Sequence, residues 1–339
     1  MAKDIGIDLG TTKIVIYDRS KGMILDDPCV IAKDTESGKA IKYGAEAYEM
    51  MGRTPRQIVT IRPVRSGVIN RYTETLKMVQ YYLRRLCAGA VMKPRIIVGV
   101  PYGVTEVERQ AAFDAMIAAG AKRVYVVEEP LLAALGCDLD ISQPRGRMVI
   151  DIGGGTTNVA VISMGKIVVG TCLRVGGDAM DDALIRYLRR TYNLTVGERT
   201  AQLIKQSIGT ICSDDTVQCL AKGICTIEGL PKSVMLSNAD LKEALEEPCM
   251  DIVSAVSRVL EETPAELLAD IQQDGMTLCG GVSALKGLDT LLSRSSGYRV
   301  HVVENGAYCV ALGTKYFWNY TDPLRRTRLT SERKETVMQ

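Results

Sequence analysis

Val149–Ser163 reads V-I-D-I-G-G-G-T-T-N-V-A-V-I-S, and the fold follows from how that stretch is read. An apolar run, Met148–Ile150, ends in Asp151. Three glycines and two threonines follow, then a second apolar run, Val159–Ile162. Two strands joined by a tight glycine-rich turn have this pattern. With no Cβ at Gly153, Gly154 or Gly155, the N–H groups of the turn can converge on an anion at close range. Thr156 and Thr157 add hydroxyl donors. Asp151, at the strand end, is placed to hold a hydrated Mg²⁺, an ion that takes one or two carboxylates and keeps water and phosphate oxygens around it. Taken alone, the stretch also fits a glycine-rich hairpin with a chance Asp.

A second copy stands at the N-terminus: Ile5-Gly6-Ile7-Asp8-Leu9-Gly10-Thr11-Thr12-Lys13-Ile14-Val15-Ile16-Tyr17. Self-similarity of this kind indicates two related halves. Two such hairpins facing each other would clamp a nucleotide from both sides, with Asp8 and Asp151 sharing one metal. No G-x-x-x-x-G-K-[ST] loop and no helix-opening G-x-G-x-x-G occurs in the chain, so any phosphate must be held by the paired hairpins.

At 339 residues the chain is long enough for two domains. Its 42 Lys and Arg balance 40 Asp and Glu, so no global charge points to nucleic acid, and a 5% aromatic content disfavours base-stacking surfaces. No signal peptide and no membrane-spanning apolar run is seen, which predicts a cytoplasmic protein. The ten cysteines form no C-x-x-C, and Cys212, Cys219 and Cys225 are not spaced as zinc ligands. Buried free thiols are expected instead.

Along the chain, Met23–Ala32 reads as a strand containing Pro28, Tyr43–Met51 as a short helix, and Val68–Arg85 as a helix. Arg95–Pro101 is a buried strand. Thr105 to Glu108 is a capping box opening a helix to about Ala119, and Val124–Val127 is a further strand. This alternation predicts an open α/β sheet flanked by helices. Glu128-Glu129-Pro130 opens a helix; its acids either complement the helix dipole or orient a water beside the phosphates. Gly177 and Gly197 each precede a helix, and Val217–Ser237 reads as strands of a small subdomain. Pro248 should kink or divide a helix around Asp240–Glu247. Thr263 to Glu266 reads as a second capping box. Met276–Gly281 is a strand running into a glycine turn, followed by a helix over Leu285–Leu292.

With these residues assembled, the chain resembles the actin/heat-shock-chaperone/sugar-kinase superfamily and, within it, the MreB family of bacterial actins. The superfamily motifs are Asp8–Thr12 (D-L-G-T-T), Asp151–Thr157 (D-I-G-G-G-T-T) and Cys279–Ser283 (C-G-G-V-S). The closer likeness runs nearly end to end, through Met51–Pro55, Arg62–Val64, Glu128–Pro130, Val175–Asp181, Gly197–Ala201, Gly229–Pro231 and Glu262–Leu267. The resemblance implies an actin-like ATPase fold: two related domains, each a mixed sheet flanked by helices, with nucleotide in the cleft between them. Domain I would comprise 1–137 plus 310–322, with subdomain IB at about 30–72. Domain II would comprise 138–309, with subdomain IIB at about 182–240, and 323–339 would be a disordered basic tail.

The same resemblance implies ATP and Mg²⁺ as cofactors. Thr11, Thr12, Lys13 and Gly153–Thr156 would hold phosphates, and Asp8 and Asp151 would hold the metal through water. Glu129 and Thr156 would position the attacking water. Gln202, Leu203, Ile204 and Lys205, with Gly280, Gly281, Val282, Ser283 and Ala284, would flank the adenosine. The implied work is slow ATP hydrolysis coupled to filament assembly, with paired protofilaments at the inner face of the membrane that engage the cell-wall elongation machinery and set rod shape. The family uses an amphipathic N-terminal helix or an apolar loop for membrane contact; here the loop Cys87–Lys93 offers Val91 and Met92 among basic residues. Thr12-Lys13, Asn158, Gln202 and Val282 depart from the usual family residues, and Lys13 would meet phosphate as a point charge. The alternative is a non-polymerising ATPase of the same fold or a small-molecule kinase.

Overall fold

Both Asp–Gly/Thr stretches are antiparallel hairpins in the computed structural model, which describes residues 3–89, 92–211 and 217–321. Asp4–Leu9 pairs with Lys13–Asp18, with Leu9 opposite Ile14. Arg147–Ile152 pairs with Thr157–Ser163, with Ile152 opposite Thr157. Positions 10–13 thus correspond to positions 153–156, one turn for the other.

Each hairpin grows into a five-stranded sheet of the same plan. A third strand adds antiparallel on one side: Gly22–Pro28 in the first sheet, Lys166–Leu173 in the second. Two strands add parallel on the other side, Arg95–Val100 and Arg123–Glu128 in the first, Met276–Cys279 and Val300–Val302 in the second. The inner strands are apolar without alternation because both faces are covered. Met148, Ile150 and Ile152 pack into the core of the second domain, beneath the helix Asn238–Glu262. Val149, Ala160 and Ile162, one residue out of phase, pack into a core between the two sheets. In the first sheet Ile96, Val98 and Val100 likewise face the helices Tyr72–Leu86 and Glu106–Ala118, while Ile97 and Val127 face the shared core.

That shared core holds two helices, Glu129–Gly136 and Cys309–Thr321, packed on each other. Residues Glu129–Leu135 are all buried, as expected of a helix apolar all round. Two small subdomains stand beyond the sheets. One is built on Ile31–Asp34, Ala40–Tyr43 and Ile58–Ile61. The other is built on Leu194–Thr195, Gln218–Cys225 and Pro231–Ser237, with the helices Gly177–Tyr192 and Glu198–Ile208 closing its core.

Several local expectations give way to tertiary context. Met23–Ala32 is not one strand: the first sheet is left at Pro28, and Ile31–Asp34 joins the small sheet. The helix expected from Val68 starts at Tyr72, because Val64–Arg65 and Val68–Ile69 form a hairpin whose turn, Ser66-Gly67, has both residues at positive φ. Pro248 does not divide its helix, which runs from Asn238 to Glu262. An interior proline costs about 3 kcal/mol, offset here by burial of Leu245, Cys249, Ile252 and Val256 against the second sheet. Thr263 makes no capping box; its hydroxyl donates back to the Val259 carbonyl at 2.5 Å. A box forms instead at Ser237, whose N–H and hydroxyl both donate to the Asp240 carboxylate. After Cys279 comes a 3₁₀ turn, Gly281–Ala284, and the helix begins at Leu288 rather than Leu285.

Candidate functional site

The two hairpin turns meet at the mouth of a cavity of about 470 Å³ between the domains, a size typical of small-ligand pockets. They interlock. A Cβ on Gly154 would overlap the Thr12 hydroxyl, and one on Gly155 would overlap the Thr11 hydroxyl. Thr11 Oγ1 in turn accepts the Gly67 N–H at 2.9 Å, which fixes the Ser66-Gly67 turn above the first hairpin. The helix Gly177–Tyr192 abuts the second turn from behind: its Gly177 and Asp178 N–H groups donate to the Gly153 and Gly154 carbonyls at 3.0 and 2.7 Å.

Three carboxyls line the cavity where the sheets approach: Asp8, Asp151 and Glu129. Burial pushes Asp8 up to about 6, against the pull of Lys13. Burial, then the Asp8 charge, pushes Asp151 up to about 7. Glu129 is held well above the usual carboxylate range by burial, then by Asp8 and Asp151. Glu128, its neighbour, points elsewhere and pairs with Arg109 at 3.7 Å. The Asn158 amide donates to Glu129 Oε2 at 2.8 Å, and its own carbonyl oxygen accepts the Tyr102 N–H at 3.0 Å, so one Glu129 oxygen is oriented from a fixed point. Lys13 reaches the cavity, and its ammonium lies 3.4 Å from Asp26 and 3.8 Å over the Tyr308 ring.

The far wall comes from the second small subdomain and the 3₁₀ turn. Gln202 and Lys205 line the cavity, as do Gly280, Gly281, Val282 and Ala284. Three expected positions do not. Leu203 is 54% exposed on the opposite side of its helix, and Ile204 is buried in the subdomain core. Ser283 turns inward, its hydroxyl donating to the Gly280 carbonyl at 2.7 Å. A helix offers one face, so residues three apart share a wall and those between them do not. Sequence reading missed Gly67, Asp178, Asp181 and Asn238 in the lining. Asp181 is paired with Lys205 at 2.8 Å, and Lys205 also donates to the Gly177 carbonyl at 2.6 Å. Above the cavity the small subdomains touch: Tyr48 donates to Gln202 Oε1 at 2.6 Å, the Arg199 guanidinium stacks on Tyr48, and Arg62 pairs with Asp178 at 3.3 Å. Among the described residues, no helix is long and apolar enough to cross a membrane.

Solved structures share this fold. MreB5 of Spiroplasma citri bound to ADP superposes with a TM-score of 0.92 at 30% identity, over 96% of this chain and 99% of that one. A MamK double helical filament superposes with a TM-score of 0.80 at 19% identity, over 94% of this chain and 99% of that one, a likeness of fold alone. The architecture is actin-like. In sequence, the chain is 42% identical to the cell shape-determining protein Mbl of Bacillus subtilis (strain 168), over 97% of this chain and 99% of the relative. It is 44% identical to the cell shape-determining protein MreB of Haemophilus influenzae, over 92% of each. The model of the MreB/Mbl protein family matches residues 2–326, and the chain belongs to that family of actin-like, cell shape-determining proteins.

Proposed function

We propose that this chain binds Mg-ATP in its interdomain cleft, hydrolyses it slowly, and assembles into filaments at the inner face of the membrane that organise wall synthesis. One observation carries the reading: two interlocked Gly/Thr turns close beside three carboxyls, Glu129 and Asp151 buried and Asp8 half-buried, none of which forms an ion pair among the described residues. Lys13, whose charge draws Asp8 down, is paired with Asp26. Burial raises all three carboxyls, and neighbouring carboxyl charges raise Asp151 and Glu129 further; a divalent cation would offset both, so the residues fit the metal. Asp8 and Asp151 would hold it through water, and when bound it would supply positive charge against the phosphate oxygens.

The chain's own groups do the rest. The N–H groups of positions 154–156 and the Thr11, Thr12 and Thr156 hydroxyls would take the phosphates, with Lys13 adding charge from the rim; the Gly153 N–H is already given to the Thr156 carbonyl at 2.8 Å. Gln202, Lys205 and Gly280–Val282 would flank the nucleoside. Glu129, one oxygen fixed by Asn158, would accept a hydrogen bond from the attacking water and orient it. The MreB5 neighbours solved with ADP and with AMPPNP support a nucleotide in this cleft.

Membrane contact rests on the loop before Arg95. Met92 is 43% exposed there, while Val91 and the basic tail lie outside the described residues. Each apolar side chain would contribute on the order of 1–2 kcal/mol if inserted, too little for a monomer and ample for a polymer through avidity. The decisive experiment is sedimentation with ATP, with and without anionic liposomes, backed by electron microscopy. ATP-dependent pelleting with co-sedimenting lipid is expected. A protein that stays in solution with ATP and phosphorylates a small molecule would overturn the reading.

A further inference from the structure

Outside the cleft, three cysteines remote in sequence come together. Cys137 caps the end of the helix Glu129–Gly136, Cys279 ends its strand, and Cys309 begins the last helix. Their three Sγ atoms lie within 4.8 Å of one another. The meeting is built into the fold. A Cβ at position 136 would overlap the backbone of Cys309, so Gly136 is what lets the two helices close and sets Cys137 against Cys309. Cys279 is brought in by its register, directly beside Asp151 in the parallel pair. Cys279 and Cys309 are buried and Cys137 is half-buried, leaving one thiol as the entry point. Among the described residues no other group of histidine, cysteine or carboxylate side chains converges in this way.

From this geometry we infer that Cys137, Cys279 and Cys309 form a trithiol site for one soft, closed-shell metal ion of the monovalent copper class. Thiolate sulfur selects such ions, and three sulfurs at bond lengths of roughly 2.3 Å around one centre sit about 4 Å apart, inside the observed spacing. Zinc suits the site less well because it takes four ligands. The available oxygen, Asp151 Oδ1, lies 3.9 Å from Cys279 Sγ and faces the cleft. Binding is ligand exchange: each coordinating thiol gives its proton to solvent, three S–metal bonds form, and the metal keeps its oxidation state. The site joins a helix end, a strand end and a helix start beneath the cleft, so a bound ion would cross-link the shared core.

The test is an anaerobic titration of the full chain with Cu(I) against a competing Cu(I) chelator, followed by thiolate-to-copper absorption and by thermal unfolding. One tightly held Cu(I) per chain and a higher Tm on loading are expected. Cys137→Ser, the half-buried position least able to disturb folding, should weaken retention by roughly 100-fold or more and abolish the Tm shift. Cys172→Ser, which lies outside the cluster, should change neither. Copper held equally well by Cys137→Ser, or lost equally from Cys172→Ser, would overturn the assignment. So would a site that takes Zn²⁺ in preference to Cu(I).

Discussion

The two hairpin turns superimpose in plan and differ in content. Positions 10–13 are Gly-Thr-Thr-Lys, and positions 153–156 are Gly-Gly-Gly-Thr. Where the first turn carries the threonine side chains of positions 11 and 12, the second carries bare glycine at 154 and 155, and the hydroxyls of one fill the space left open by the other. Opposite the strand aspartate stands Val15 in the first hairpin and Asn158 in the second. Only the second therefore reaches Glu129. A duplicated backbone has thus become a knob and a socket, and the amide that fixes the Glu129 carboxyl is confined to one side.

The largest effect should come from filling the socket. Gly154→Val places a branched side chain against Thr12, and ATP affinity should fall by roughly 100-fold, about 2.7 kcal/mol, measured by calorimetry. If steric interlock is the cause, Gly154→Ala alone should weaken binding and lower the Tm, and adding Thr12→Gly should restore the Tm but not the affinity, because the Thr12 hydroxyl is lost with its side chain. Unchanged ATP affinity in Gly154→Val would rule out the clamp.

Making the second hairpin resemble the first at the next position tests the asymmetry of the chemistry. Asn158→Val should slow ATP hydrolysis by roughly 10²-fold, the scale of a positioned acid–base group, while nucleotide binding stays within a few-fold. Because Asn158 and Glu129 act as a unit, Asn158→Val with Glu129→Gln should be little worse than either single change. Single-turnover hydrolysis reads this directly, and normal rates in Asn158→Val would remove Asn158 from the site. The lost Tyr102 contact should also cost about 1–3 kcal/mol of stability.

The carboxyls contributed by the two hairpins should be visible in the pH dependence of the nucleotide-free protein. Asp8 at about 6 and Asp151 at about 7 both stand above the ordinary aspartate value of 3.8, so the folded chain binds more protons than the unfolded chain between 3.8 and those values. Stability is then fully present below about 4 and is lost as pH rises through 6 to 7. Urea midpoints should be lower at pH 8 than at pH 5 for these two groups, and Asp151→Asn should flatten the difference. A midpoint that rises across that interval in the parent, or a slope unaltered in Asp151→Asn, would contradict the raised carboxyls. The smallest effect belongs to the roof: Tyr48→Phe removes one hydrogen bond to Gln202, worth about 1 kcal/mol, and should speed nucleotide release about 5-fold in a stopped-flow chase.

The fold was legible where its signals are local. Asp, glycine and threonine within a few residues specify a tight turn, and the pattern's repetition 143 residues on (from Asp8 to Asp151) announces two like halves. The actin-like class and the MreB/Mbl family were readable on the same residues. Legibility ended where contacts are made by distant segments. Gln202 and Lys205 could be named only as part of a continuous stretch, because the helix face that meets the cavity depends on what packs against the other side. The pairing of Asp181 with Lys205 and the anchoring of Glu129 by Asn158 need both domains in place. Pro248 misled because a propensity cost is small beside the burial of a long amphipathic helix, and Thr263 because its hydroxyl found a carbonyl behind it. The meeting of Cys137, Cys279 and Cys309 has no local signature at all.

The three contacts across the roof, Tyr48 to Gln202, Arg199 on Tyr48 and Arg62 to Asp178, also set a clock. Each is a polar contact worth about a kilocalorie, so a lid held by them alone would open and shut many times before a well-held ligand left, on the microsecond-to-millisecond scale of domain motion. Residence time is then the product of many failed escapes. Whatever grips the two small subdomains from outside lengthens it, and whatever pries them apart empties the cleft.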